Sequence, residues 1–140
     1  MATKKKTLVG ILMGSKSDAE TMAETEKVLK DCKIPYEINV LSAHRNPEKV
    51  RAYAKSAKKK GLKVLICGAG MSAALAGVVS AYTDLPVIGV PMHTKALKGL
   101  DSLLSTVQMP AGVPVASVAI GKTGAKNAAH LAARILGLCR

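Results

Sequence analysis

The chain holds 140 residues, 49% of them hydrophobic, at a formal net charge of +12; this is the size of one ordinary domain, residues 1–140, with enough apolar material for a core. The charge makes nucleic acid the first partner to consider, yet there is no Phe or Trp and the three tyrosines are scattered, so the stacking platforms of a single-strand binder are missing. The lysines of Lys4–Lys6 and of Lys55, Lys58, Lys59, Lys60 and Lys63 then read as solvated faces whose field draws in anionic metabolites, phosphates included.

In chain order, Thr7–Met13 reads as a strand and Asp18–Cys32 as a helix with apolar Met22, Val28 and Leu29 on one side. Tyr36–Val40 is a second strand, and Pro47–Lys60 a helix opened by proline at its first turn. Lys63–Cys67 is the third strand and Ser72–Tyr82 a helix of small residues. Pro86–Val90 is the fourth strand, followed by a short helix near Leu100–Thr106, a strand over Val113–Ala119 and a closing helix over Ala125–Leu136. Strands such as VLIC and VIGV are apolar throughout and are separated by helices. That pattern predicts an α/β fold with a central parallel sheet covered on both faces. No run approaches the roughly 18 apolar residues of a membrane span, and no apolar segment follows the lysines of MATKKKT as in a signal peptide, so a soluble, cytoplasmic protein is expected. Cys32, Cys67 and Cys139 fall in no metal-ligand spacing, which predicts reduced thiols and no metal site.

In such a sheet the loops after the strands share one edge, and ligands bind there at the switch point of strand order. Three loops on that edge carry chemistry. GSKSD brings Gly14, where the backbone turns closely, then Ser15, Lys16, Ser17 and Asp18 at the start of a helix whose free amides favour an anion. Ser17 or Asp18 could serve only as a helix cap. A carboxylate beside hydroxyls and amides, however, suits a phosphosugar, with phosphate on the donors and ribose hydroxyls on the acid. The Walker pattern is absent. GAGMSA, with Gly70, Ser72 and Ala73, nominally matches a dinucleotide fingerprint, but VIGVPMHT supplies no acid for the ribose, so a nicotinamide site is not supported. SAHRNP brings Ser42, Ala43, His44 and Arg45: an imidazole that exchanges protons near neutral pH and a guanidinium fork for phosphate or carboxylate. A histidine at a strand's end is, on type alone, more often structural than catalytic; convergence with the other loops reverses that preference for His44. His130 reads as packing or surface, whereas His93 follows the fourth strand and could reach the same edge. No GxSxG nucleophile signature is present.

GSKSD, SAHRNP, the GAG loop, LDSLLSTVQMPAGVPV and AIGKTGAKNAA stand in the order found in the PurE family of purine biosynthesis, which the chain resembles from about Thr7 to Leu136. The resemblance implies a flavodoxin-like three-layer fold and a homo-octamer with active sites at subunit contacts. It also implies formation of 4-carboxy-5-aminoimidazole ribonucleotide. Mutases of the family move a carboxylate from the exocyclic nitrogen of carboxyaminoimidazole ribonucleotide to the ring carbon; carboxylases add carbon dioxide to aminoimidazole ribonucleotide. By the same resemblance His44 is the acid/base, and Ser15, Ser17, Asp18 and Arg45 hold substrate, with Gly14, Ser42, Ala43, Gly70, Ser72, Ala73 and Leu75 completing the pocket. No metal or organic cofactor is implied, because the aminoimidazole is itself the electron-rich partner.

Ala74-Leu-Ala-Gly77 stands where mutases usually carry His-Leu-Pro-Gly, so the third loop is similar to the carboxylase class, while SAHR and GKTGAKNAA are similar to mutases. Relatives commonly continue with a further helix that helps build the oligomer, where this sequence stops at Arg140. The expected activity is the mutase, with the carboxylase as the alternative and a non-catalytic nucleotide- or nucleic-acid-binding module as the reading from another class. Salt-dependent binding of unrelated nucleic acids without turnover would mark the last.

Overall fold

The computed structural model describes residues 6–139; Lys4 and Lys5 of the first basic cluster lie outside them. Strands β1 (Val9–Met13), β2 (Tyr36–Val40), β3 (Val64–Ala69), β4 (Val87–Pro91) and β5 (Ala116–Ser117) form one sheet in the order β2-β1-β3-β4-β5. All four pairings are parallel. This is the flavodoxin-like order, whose switch point lies between β1 and β3. Helices α1 (Ala19–Asp31), α2 (Pro47–Lys60), α3 (Leu75–Ala81), α4 (Leu100–Val107) and α5 (Lys122–Leu136) alternate with the strands.

Period-two alternation sends each strand's side chains into two different cores. Val9, Ile11 and Met13 join Val64, Ile66, Ile88 and Val90 against Met22 and Leu29 of α1 and the alanines of α5. Leu12, Leu65 and Cys67 join Val50, Tyr53 and Ala57 of α2 and Leu75 and Val79 of α3 on the opposite face. Burying one such Val, Leu or Ile stabilises by about 1.5–3 kcal/mol, so these two layers fix the register of the whole sheet. Helix α5 buries only small residues, Gly124, Ala125, Ala128, Ala129, Ala132 and Ala133, and therefore lies close upon α1. The buried Thr25 hydroxyl donates to the Ala125 carbonyl at 2.8 Å. Gly124 permits the closest approach: a β-carbon there would overlap the Ala119 backbone.

Three expectations are corrected. Helix α3 starts at Leu75 rather than Ser72, because the Met71 and Ala73 amides bond to the Ser102 and Ser105 hydroxyls instead of entering a helix. Strand β5 shrinks from Val113–Ala119 to Ala116–Ser117. Pro114 has no N–H to give a ladder, and the Val113 amide turns back to the Pro110 carbonyl at 3.2 Å. Cys32 and Cys139 are not separate thiols but a disulfide. Helices α1 and α5 cover the same face of a parallel sheet, so they run in one direction and their carboxyl ends coincide, which brings together cysteines 107 residues apart. Cys67 alone is free, and burial raises its thiol pKa far above the ordinary value.

Candidate active site

The carboxyl ends of β1, β2, β3 and β4 open onto one cavity of about 510 Å³. After β1, the Gly14 amide donates to the Gly68 carbonyl at 3.0 Å, which continues the ladder one residue past the strand. Ser15 then caps a short 3-10 turn, Lys16–Asp18, in a capping box. The Ser17 amide and hydroxyl donate to Ser15 Oγ at 3.3 and 2.9 Å, and the Ser15 amide donates to Asp18 Oδ2 at 3.2 Å. The cap is thus Ser15, with Asp18 as its reciprocal partner, while the Asp18 side chain makes no capping bond to α1, and the cap does not exhaust the loop. Ser15 Oγ accepts twice, leaving its own proton for a further acceptor. Burial raises the Asp18 carboxyl above its ordinary value of 3.8, opposed by the Ser15 amide. A β-carbon on Gly14 would meet Ala69 Cβ at 3.8 Å and Asp18 Oδ2 and the Gly68 carbonyl at 4.0 Å, ordinary contacts, so packing does not demand the glycine.

After β2, the Leu41 amide still reaches the Met13 carbonyl at 2.9 Å before the chain turns. Ser42 Oγ accepts from the Arg45 amide at 3.2 Å, and the Asn46 amide donates to the Ser42 carbonyl at 2.8 Å. This closed turn leaves His44 and Arg45 exposed at the mouth, on the residues that lead into α2.

Of the expected site residues, Gly14, Ser15, Ser17, Asp18, Ser42, Ala43, His44, Arg45, Gly70, Ser72 and Leu75 line the cavity. Ala73 does not; it is buried beneath the loop, its amide bonded to Ser105 Oγ at 2.9 Å. Gly68 of the fingerprint is also a packing glycine, since a β-carbon there would press on the side chains of Met22 and Met92. Ala74 and His93 line the same cavity. Met92, Thr94 and Lys95, together with Ala69 and Met71, were not expected. The signal for the β4 residues was their place after a strand on the ligand edge. Thr94 is buried and fixes its loop, donating to Asp101 Oδ1 at 2.6 Å and accepting from the Gly99 amide at 2.9 Å.

The cavity thus gathers two cationic side chains, Arg45 and Lys95, several hydroxyls, one carboxylate and two imidazoles, a set suited to an anionic ligand rich in hydroxyls. Among the described residues no group of three His, Cys, Asp or Glu could hold a metal ion.

Fold and cavity together define a doubly wound α/β protein with a ligand pocket at the switch point of its sheet. The chain belongs to the AIR carboxylase family, which it matches over residues 8–140. It is 57% identical over 133 residues to the N5-carboxyaminoimidazole ribonucleotide mutase of Pyrococcus horikoshii, covering 95% of this chain and 74% of that one. It is 60% identical over 130 residues to the enzyme of the same name from Saccharolobus solfataricus, covering 93% of this chain and 81% of that one. The crystal structure of Treponema denticola PurE superposes with a TM-score of 0.83 at 37% identity, covering 94% of this chain and 80% of that one.

Proposed function

We propose that this chain is a purine-biosynthetic mutase that moves the carboxylate of carboxyaminoimidazole ribonucleotide from the exocyclic nitrogen to the ring carbon. The observation that carries the reading is the convergence of His44 and Arg45 with Ser15, Ser17 and Asp18 on one cavity. The phosphate fits the Ser15 and Ser17 hydroxyls and Arg45, and the ribose hydroxyls fit the Asp18 carboxylate. Protonation of the exocyclic nitrogen by His44 accompanies cleavage of the N–C bond and leaves aminoimidazole ribonucleotide beside carbon dioxide. The ring carbon attacks that carbon dioxide, and neutral His44 takes the proton the ring carbon gives up. The proton ledger closes on one imidazole, and the cavity supplies proximity and orientation.

Ala74 on the cavity wall favours the carboxylase as a second reading, because the loop offers no imidazole there for the carboxylate. His93, on the same cavity, is the candidate to replace it. Carboxyaminoimidazole ribonucleotide labelled in its migrating carboxylate separates the two. The mutase retains most of the label in the product in the presence of unlabelled bicarbonate. Efficient use of aminoimidazole ribonucleotide at low bicarbonate, with none of the carboxyamino compound, would replace it by the carboxylase.

The protein works in the cytoplasm as a homo-oligomer, the octamer of the family being the expected form. Supporting this, Leu100 and Leu104 of α4, Leu97 just before it and Met71 at the cavity are each at least half exposed, apolar side chains of the kind that a contact between subunits would cover. No described helix is long and apolar enough to cross a membrane.

A further inference from the structure

Helix α4 contributes nothing to the cavity wall, yet two of its hydroxyls bond to the loop that does. The Met71 amide donates to Ser102 Oγ at 3.0 Å and the Ala73 amide to Ser105 Oγ at 2.9 Å, partners 31 and 32 residues away. Ser105 Oγ also stands 3.2 Å from the Met71 carbonyl and 2.7 Å from the Asp101 carbonyl of its own helix. Ser102 is fully buried and Ser105 exposed.

Between these anchors Met71 holds φ at +60°. A residue with a β-carbon keeps that left-handed conformation only where its surroundings over-determine it. Gly70, Met71, Ser72, Ala74 and Leu75 form one wall of the cavity. Ala74 brings no polar atom, so the polar part of this wall is the Ser72 hydroxyl and the peptide groups themselves. Their placement depends on the backbone being held from behind.

We propose that Ser102 and Ser105 are positioning residues of the reaction, holding the backbone of residues 70–74 at the distance from His44 that the migrating carboxylate needs. This rests on the cavity being the substrate site. The two serines touch no substrate; they act through the loop, and α4 is the ruler that spaces its peptide groups.

The test compares the full chain with Ser102→Ala, Ser105→Ala and Ser105→Thr, by steady-state kinetics on carboxyaminoimidazole ribonucleotide, by melting temperature and by amide hydrogen exchange at Met71 and Ala73. Each alanine variant should lose at least about tenfold in kcat/KM, the scale of a small misplacement of reacting groups. The loss should fall mainly on kcat. Ser105→Thr, which keeps the hydroxyl, should recover most of it, and the melting temperature of Ser105→Ala should stay near that of the parent. Exchange should quicken at Ala73 in Ser105→Ala and at Met71 in Ser102→Ala. Wild-type kinetics in both alanine variants, or Ser105→Thr as poor as Ser105→Ala, would overturn the positioning role. If the parent chain is inert on this compound, the substrate reading fails by itself; the exchange measurement still decides the loop, and unchanged exchange in both variants overturns its dependence on α4.

Discussion

At the level of single residues, His44 and Asp18 sit in different environments. His44 is exposed at the cavity mouth, where an imidazole can trade a proton with a ligand, and it makes no contribution to either core. His44→Asn should fold and bind ligand normally while turnover drops at least ~100-fold, the usual scale for loss of a general acid/base; near-normal turnover would remove it from the mechanism. Asp18 is half-buried, and burial raises its carboxyl above 3.8. In the unfolded chain the group ionises at its ordinary value, so its effect on stability is nil below that value. The effect turns unfavourable as pH rises from there through the folded-state pKa, above which the penalty is complete. Asp18→Asn keeps an oxygen for the Ser15 amide and removes the buried charge. Calorimetry at neutral pH should find its melting temperature no lower than the parent's. KM should meanwhile rise about 10- to 100-fold, the range for losing charged hydrogen bonds to ligand. In the parent, KM should climb as the solution is acidified through a pKa above 3.8. A melting temperature well below the parent's would mean that the carboxylate is there for the cap.

Among the elements, the pairing of α1 with α5 is the one stapled covalently. Reduction of Cys32–Cys139, or Cys139→Ser, should cost about 2–4 kcal/mol of stability, the typical worth of a cross-link, although its entropic origin is model-dependent. Catalysis should be unchanged, because helix carboxyl ends lie at the sheet edge opposite the cavity. Paired melting and activity measurements with and without reductant check both halves, and equal melting temperatures would mean the cross-link adds nothing. This staple was not legible in the sequence: cysteines 107 residues apart are joined only by the parallel run of two helices, which spacing does not encode. The elements that do pack by periodicity were legible, and Tyr36–Val40 and Pro47–Lys60 stand where the pattern put them. The pattern failed where side-chain hydroxyls or proline competed with backbone pairing, at Ser72–Ala74 and around Pro114. In the site, loops whose polar residues sit directly behind strands were readable. Ala73 was carried to the cavity by the resemblance of its loop, which does not tell which residues of a turn face inward, and Lys95 was missed because the fourth loop lacks the dense signature of the other three.

For the molecule as a whole, a basic protein with a cavity suited to an anion has its field aligned with its chemistry, since a net charge of +12 raises the local concentration of phosphorylated ligands. The architecture of that cavity has a further thermodynamic meaning. Its walls come from within residues 14–18, 42–45, 69–75 and 92–95, at the ends of four different strands. Each loop is placed by ladder bonds to a neighbour, as Gly14 is by Gly68 and Met92 by Ala69. No contiguous fragment of the chain carries two adjacent walls without a sheet to join them, so ligand affinity is a property of the cooperative unit and not of any sub-structure. Binding and global unfolding are then linked without an intermediate. Saturating ligand at a hundredfold its Kd should protect every element of the sheet by the same amount, about 2.7 kcal/mol, including the β5 edge that the ligand never meets.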